Sequence, residues 1–263
     1  MCPVQESPKK PQINMSSEKL LSILELLAEI GEPIRLLDIS KELGINNSTT
    51  LRFLNTMMKC GYVAQDPETL KYYLTYKICN IANKVSSKTN IRSIAADYLK
   101  EITKIFGESV CLSLEQDMKV VYIDVVEGPD QMIRSMQRIG NVAPLYCTAV
   151  GKVFLTQYSE KQLDHYVEIC GLSRITPKTL TSKQQLLDEL ELVKKNGYAI
   201  DEEECEIGAR CVASPIYDYS GKIIAGVSVT GPVTRFTQSF IADRVEYLLK
   251  ATHDISIKLG YDY

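Results

Sequence analysis

Apolar residues recur at helical spacing along the front of the chain. Leu20, Ile23, Leu24, Leu27 and Ile30 form one stripe, with Ser16 or Ser17 as its cap and Gly31-Glu32-Pro33 as its stop. Leu36, Ile39 and Leu43 predict a short helix over 36–43 that Gly44 ends. Leu51, Leu54 and Met58 predict a longer one over 47–60, capped by Asn47 or Ser48. Two strand-like runs follow, 62–64 and 70–74, joined by Asp66-Pro67-Glu68-Thr69. This order is that of a helix-turn-helix with a hairpin wing, occupying residues 15–75. Ile78, Ile81, Ala82 and Val85 then mark a linker helix within 76–90, where the polar run 86–90 sets a domain boundary.

Beyond Ile91 helices and strands alternate. Ile94, Ala95, Leu99, Ile102 and Ile105 predict a helix that Gly107 ends, and 110–114, 120–126 and a run near 132–136 read as strands. Helices are expected over 148–158, 160–169 and 183–196, strands over 198–200, 210–217 and 222–230, and a single terminal helix over 238–259. Strands joined by short turns, with helices gathered between the blocks, point to an α+β domain over 91–263 with a mostly antiparallel sheet. Residues 1–14, rich in proline and polar side chains, read as a disordered arm.

The helix over 47–60 divides into two chemistries. Opposite its apolar positions lie Ser48, Arg52, Asn55, Thr56 and Lys59, a polar and non-acidic face. Arginine forks onto guanine, asparagine pairs bidentately with adenine, and hydroxyls donate to phosphate oxygens. The expected contacts to double-stranded DNA are Asn47, Ser48, Thr49, Arg52, Thr56 and Lys59, with Lys71 and Tyr72 of the wing on the backbone. Small helical units with a hairpin also serve as protein-interaction modules, which leaves a metabolite-sensing module without DNA binding as an alternative.

Charge changes this picture little. The net charge is −3, residues 1–90 holding 11 Lys and Arg against 9 Asp and Glu and the remainder 19 against 24. An excess of that size does not by itself argue for nucleic acid. With 263 residues, 45% of them hydrophobic, the chain can build one large or two ordinary cores. No apolar run reaches the roughly 18 residues of a membrane span, and the first residues lack an apolar signal-peptide centre, so a cytoplasmic protein is expected. Eight cysteines without a C-x-x-C pair read as reduced thiols.

Three later segments are candidates for ligand chemistry. Tyr146-Cys147-Thr148-Ala149-Val150-Gly151-Lys152 opens a helix after Pro144, where small residues expose N–H groups to an anion. Gly197 to Pro215 joins two strands through a dense acidic loop containing Asp201 and Cys205, with Cys211 beyond. Thiolates and carboxylates are reasonable zinc donors, so Cys147, Asp201, Cys205 and Cys211 form an alternative zinc set, although their spacing matches no established metal motif. Ser228 and Thr230 share one face of a strand. The two histidines, His165 and His253, sit in no nucleophile–base arrangement; an enzyme using the acidic loop and Cys211 is the remaining alternative.

Taken together, S-T-T-L-R-F-L, G-Y-V, A-V-G-K-V-F-L, G-Y-A-I-D-E-E-E-C-E-I-G-A-R-C-V-A-S-P-I and V-S-V-T-G-P resemble the isocitrate lyase regulator (IclR) family of bacterial transcription factors, from about Ser16 to Gly260. The resemblance implies a winged helix-turn-helix, a linker helix and a GAF-like effector-binding domain, assembled as a homodimer or tetramer that represses or activates transcription. It also implies a small organic-acid effector held by Ala149, Val150, Asp201, Cys211, Ser228 and Thr230, with no cofactor, no membrane partner and no catalysis. Y-C-T at 146–148, where relatives often carry a histidine, and Cys205 in the acidic loop depart from the pattern.

Overall fold

The computed structural model describes residues 14–86, 90–129 and 139–262, and the chain divides into two compact units, Met1–Thr89 and Asn90–Tyr263. Residues 1–13 of the proline-rich arm and the strand expected near 132–136 lie outside the described residues. No helix among the described residues is long and apolar enough to cross a membrane.

The first unit is built from α1 (Met15–Ile30), α2 (Leu36–Leu43), α3 (Asn47–Lys59), the hairpin β1 (Val63–Gln65) and β2 (Tyr72–Leu74), and α4 (Lys77–Ser86). Ile23 and Leu27 of α1, Ile39 of α2, Ile45, and Phe53, Leu54 and Met57 of α3 close one core with Val63 and Tyr72. Burial of each large side chain contributes about 1.5–3 kcal/mol, which is what holds so small a unit together. Both expected caps move one or more residues earlier. The Asn14 side chain accepts from the amides of Ser16 and Ser17, and that of Asn46 accepts from Thr49 at 2.9 Å. In each case the asparagine backbone is extended, so its side-chain oxygen reaches amides that would otherwise be unpaired.

The buried stripe of α3 also differs from expectation. Thr50, Phe53, Leu54 and Met57 face the core, Met58 is half-buried, and Leu51 is 39% exposed. Phe53, the largest apolar side chain of the helix, sets the rotation, and Thr50 follows because its hydroxyl bonds back to the Asn46 carbonyl at 3.2 Å. In α4 no described side chain is buried, and Ile81 and Val85 are exposed.

The second unit starts with α5 (Ile91–Phe106), β3 (Ser109–Gln116), β4 (Lys119–Val126) and a short β5 (Val142–Pro144). Then come α6 (Ala149–Leu155), α7 (Glu160–Cys170), α8 (Lys183–Asn196), β6 (Ala199–Glu202), β7 (Ala209–Tyr217), β8 (Ile223–Pro232), α9 (Gln238–Ala242) and α10 (Val245–Lys258). Six strands form one sheet in the order β5-β4-β3-β8-β7-β6, every neighbouring pair antiparallel. Each face carries its own core. Val110, Leu112, Val212, Val227 and Val229 meet α5, α9 and α10, whereas Cys111, Val120, Tyr122, Cys211 and Ala213 meet α6, α7 and α8. Alternation along the strands sorts these two sets, since successive side chains point to opposite faces.

The expected terminal helix is broken. Arg244 leaves helical geometry (φ −127°, ψ −13°) with its guanidinium 3.9 Å from the Phe240 ring centre, which separates α9 from α10. At Gly226 a methyl group would come within 2.5 Å of Val150 Cγ2, and at Gly151 within 2.3 Å of the Leu145 carbonyl oxygen. Gly226 lets α6 lie directly on β8, and Gly151 lets the first turn of α6 close against the Leu145 backbone.

Candidate functional site

In the first unit α3 presents Asn47, Ser48, Arg52, Asn55, Thr56 and Lys59 to solvent, with Thr49 half-buried. Ser48 Oγ donates to the Asn46 side chain at 3.0 Å and Thr56 Oγ1 to the Arg52 carbonyl at 2.9 Å, so both hydroxyls remain acceptors for an incoming donor. Lys77 holds the other end of the helix. Its ammonium donates to the Cys60 carbonyl at 2.6 Å and lies 4.6 Å from the Tyr62 ring centre, where a cation suits the negative pole of the helix. In the wing, the Asp66 carboxylate accepts from the Thr69 amide at 2.7 Å and the Glu68 amide at 3.1 Å, fixing the turn.

One expected contact fails. Tyr72 is 5% exposed and joins the core of this unit, where its backbone pairs with Ile34 at 2.8 and 3.0 Å. In a two-faced hairpin only alternate residues reach solvent, and Tyr73 is the exposed one. Lys71 is half-buried at a shallow pocket with Glu32, Arg35 and Asp38.

In the second unit the strand register assembles a polar layer inside an otherwise apolar core. Ser109, Thr230, Cys211 and Asp201 stand side by side across β3, β8, β7 and β6, and Cys111 and Ser228 occupy the next row. Thr230 Oγ1 donates to Cys211 Sγ at 3.1 Å. The Asp201 carboxylate accepts from the amides of Glu204 at 2.7 Å and Cys205 at 3.4 Å. Burial pushes the Asp201 carboxyl from 3.8 up to about 7, against the pull of the Glu204 amide. Burial likewise raises the Cys211 thiol to about 12, and the Cys111 thiol and Tyr122 phenol well above their ordinary values. The layer at neutral pH is therefore a set of neutral donors around one carboxyl poised near half-ionisation. The buried Ser113 hydroxyl has no hydrogen-bond partner among the described residues.

Above this layer α6 starts at Ala149 and Val150, both buried, with Thr148 Oγ1 taking the Gly151 amide at 3.3 Å. Lys152, fully buried, donates to Glu189 at 2.8 Å, to Glu204 at 2.6 Å and to the Ile200 carbonyl. Burial opposes its charge, yet Glu204 and Glu189 outweigh that and raise its pKa. The acidic loop is thus tied down by cations. Glu202 forks onto Arg210, which holds its carboxyl down at about 2, and Glu203 pairs with Lys178.

Residues 16–67 match the IclR helix-turn-helix domain, and residues 83–257 match the family described as bacterial transcriptional regulator IclR, C-terminal. The chain belongs to the IclR family. It is 34% identical over 256 residues to the HTH-type transcriptional regulator KdgR of Escherichia coli (strain K12), covering 97% of each chain. It is 30% identical over 258 residues to the HTH-type transcriptional repressor AllR of Salmonella typhi, covering 98% of this chain and 94% of that one. The crystal structure of the Thermotoga maritima IclR is similar at 36% identity and a TM-score of 0.62, covering 94% of this chain and 99% of that chain. This IclR protein is accordingly a DNA-binding transcriptional regulator, with a helix-turn-helix domain ahead of a C-terminal effector domain.

Within this IclR chain the expected effector residues divide in a definite way. Asp201, Cys211 and Thr230 are neighbours in one row and Ser228 sits in the next, while Ala149 and Val150 belong to the helix packed over β8 at Gly226. The alternative zinc set does not gather: among the described residues no three His, Cys, Asp or Glu side chains converge as metal ligands. Two of its members already have other partners, Cys211 with Thr230 and Asp201 with the loop amides. Sequence reasoning missed Ser109, Cys111, Ser113 and Tyr122, although Ser109-Val110-Cys111-Leu112-Ser113 alternates small polar with apolar residues and so marks a strand with a polar inner face. The pairing of Lys152 with Glu189 and Glu204 had no local signal, because its partners lie 37 and 52 residues away.

Proposed function

We propose that this protein is a transcriptional repressor whose affinity for operator DNA is set by a small organic acid bound in the second unit. The observation that carries the DNA half is the solvent-facing, non-acidic surface of α3, on which Asn47, Ser48, Thr49, Arg52, Thr56 and Lys59 are the proposed reading residues, with Lys71 on the backbone. The name of the AllR relative, a repressor, supports the sign of regulation. The division of labour is a DNA-binding domain over 15–75, a linker helix over 76–90 and an effector domain over 91–263. The uncovered apolar stripe of α4 supports assembly as a homodimer or tetramer.

The effector's carboxylate is placed at the amides of Ala149 and Val150, since the first N–H groups of a helix lack intrahelical partners. Its hydroxyl or carbonyl side faces Asp201, Cys211, Ser228 and Thr230. A carboxyl that exchanges its proton near neutrality bonds to a ligand hydroxyl in either state, and it stands away from the ligand's own negative charge. The Cys211 thiol, held protonated by burial, is a donor and a poor nucleophile, which supports a sensor with no catalytic step.

The test is a titration of the full chain against duplexes that it selects from a random pool, at several salt concentrations. Phosphate contacts give log affinity a steep negative slope on log salt. Arg52→Ala is expected to cost about 1–3 kcal/mol if the arginine reads a base edge. A flat salt dependence, together with unchanged affinity in Arg52→Ala, overturns the DNA reading of α3.

A further inference from the structure

The exposed face of α3 is polar with one exception. Thr50, Phe53, Leu54 and Met57 make its buried side, and Leu51, which the apolar spacing assigns to the core, instead stands 39% exposed. Ser48 lies three residues before it and Asn55 four residues after it, both exposed, so the three form one strip along the helix. Arg52 and Lys59 share that face.

An exposed leucine is common on protein surfaces and by itself points to nothing. This one sits on the second helix of the region that matches the IclR helix-turn-helix domain, between two polar residues that also face outward. The face around it suits a groove between phosphates, because α3 contains no Asp or Glu and carries Arg52 and Lys59. Its polar groups are not all equally available. The Ser48 and Thr56 hydroxyls donate to the Asn46 side chain and the Arg52 carbonyl, whereas the Asn55 carboxamide makes no hydrogen bond among the described residues. The strip therefore offers one apolar contact and, one turn further on, one complete donor–acceptor pair.

We propose that Leu51 and Asn55 are specificity-determining residues that read A·T base pairs in the operator, Leu51 packing on the C5-methyl group of a thymine and Asn55 pairing with the N6 and N7 edge of an adenine. The assignment deepens the DNA reading of α3 and rests on it. The matching is chemical. Among the four bases only thymine presents a methyl group to the major groove, and only adenine sets a donor beside an acceptor as a carboxamide requires. The Asn55 oxygen accepts from the adenine amino group while its nitrogen donates to N7. One helical turn is about 5.4 Å against about 3.4 Å between stacked base pairs, so the thymine and the adenine lie one or two base pairs apart.

The experiment uses the full chain and the duplex that it selects from a random pool, with single thymidines replaced by deoxyuridine, which keeps the pairing edge and lacks only the methyl group. One position is expected at which uracil weakens wild-type binding about fourfold, as the loss of one buried methyl-sized group does. At that position Leu51→Ala should bind thymine and uracil equally. One or two base pairs away, 7-deazaadenine, which removes the N7 acceptor, is expected to weaken the wild type about fivefold, as the loss of one hydrogen bond does, and to leave Asn55→Ala unaffected. The base replacements test the wild-type chain and need no variant to fold, and both substitutions fall on exposed helical positions where alanine is favoured.

Uracil tolerated at every thymine overturns the proposal, as does a uracil penalty that persists in Leu51→Ala or a 7-deazaadenine penalty that persists in Asn55→Ala. Where such a failure comes with a steep salt slope and a weakened Arg52→Ala, this assignment falls alone. Where it comes with a flat slope and an unaffected Arg52→Ala, the DNA reading of α3 falls with it.

Discussion

Asp201→Asn tests the electrostatics of the effector layer most directly. The carboxyl is 6% exposed, and burial lifts its pKa from 3.8 to about 7, with Glu204 adding to the rise while the loop amides and Lys152 pull the other way. That is a shift of 7 − 3.8, or about 3 units, and at about 1.4 kcal/mol per unit it corresponds to about 4 kcal/mol. The folded chain binds this proton more tightly than the unfolded chain. The stabilising contribution is therefore complete below the unfolded carboxylate value and is lost as pH rises through about 7. Asparagine keeps an oxygen to accept from the Glu204 and Cys205 amides and removes the titration. Urea unfolding of the ligand-free protein should show Asp201→Asn gaining on the wild type by about 1.4 kcal/mol per pH unit between about pH 4 and 7, the gap levelling near 4 kcal/mol at about pH 8. Stability curves that run parallel across this range, or a gap that narrows as pH rises, would refute a buried carboxyl with a raised pKa at this position.

Lys152→Met should destabilise the second unit by about 3–5 kcal/mol, because it strips the cation from two carboxylates of which Glu204 is buried. Burial already raises the Glu204 carboxyl, and without Lys152 it rises further, so the loss should be smaller in mildly acid buffer than above neutrality. Thermal melts at two pH values read both effects, and an unchanged melting temperature would contradict the pairing. Gly151→Ala places a methyl group 2.3 Å from the Leu145 carbonyl oxygen and 2.4 Å from its Cα. Overpacking against backbone, at about 1–3 kcal/mol, should outweigh the gain in helix propensity of about 1 kcal/mol, lowering the melting temperature and weakening effector binding together.

The first unit was legible because each of its elements is short and its signals are local. Gly44 stops α2 in the left-handed region at φ 62°, where an unbranched hydrogen in place of a side chain avoids strain, and the apolar spacing alone identifies the helices on either side. What local spacing could not supply was rotation. Leu51, Leu54 and Met58 fit a stripe as well as Phe53, Leu54 and Met57 do, and the choice rests on which set fills the space left by Ile23, Leu27 and Ile39. Tyr72 and Tyr73 pose the same problem in a strand, where a one-residue shift exchanges the core face for the solvent face. The strands on either side of the acidic loop were legible from alternation, but the three missed residues of β3 became part of the layer only through its register with β8.

From its order of residues alone this chain determined the approximate bounds of most helices and strands, though not β5 or the break at Arg244, that the sheet would be mostly antiparallel, and which family it resembles, since periodicity, turn residues and motif order are all properties of neighbours. Tertiary structure alone decided which polar groups meet. Asp201 stands beside Cys211 and Thr230, and Lys152 between Glu189 and Glu204, because strand register and helix packing bring together residues far apart in the chain. Burial at those meeting points then sets their protonation, and no stretch of sequence carries its own dielectric.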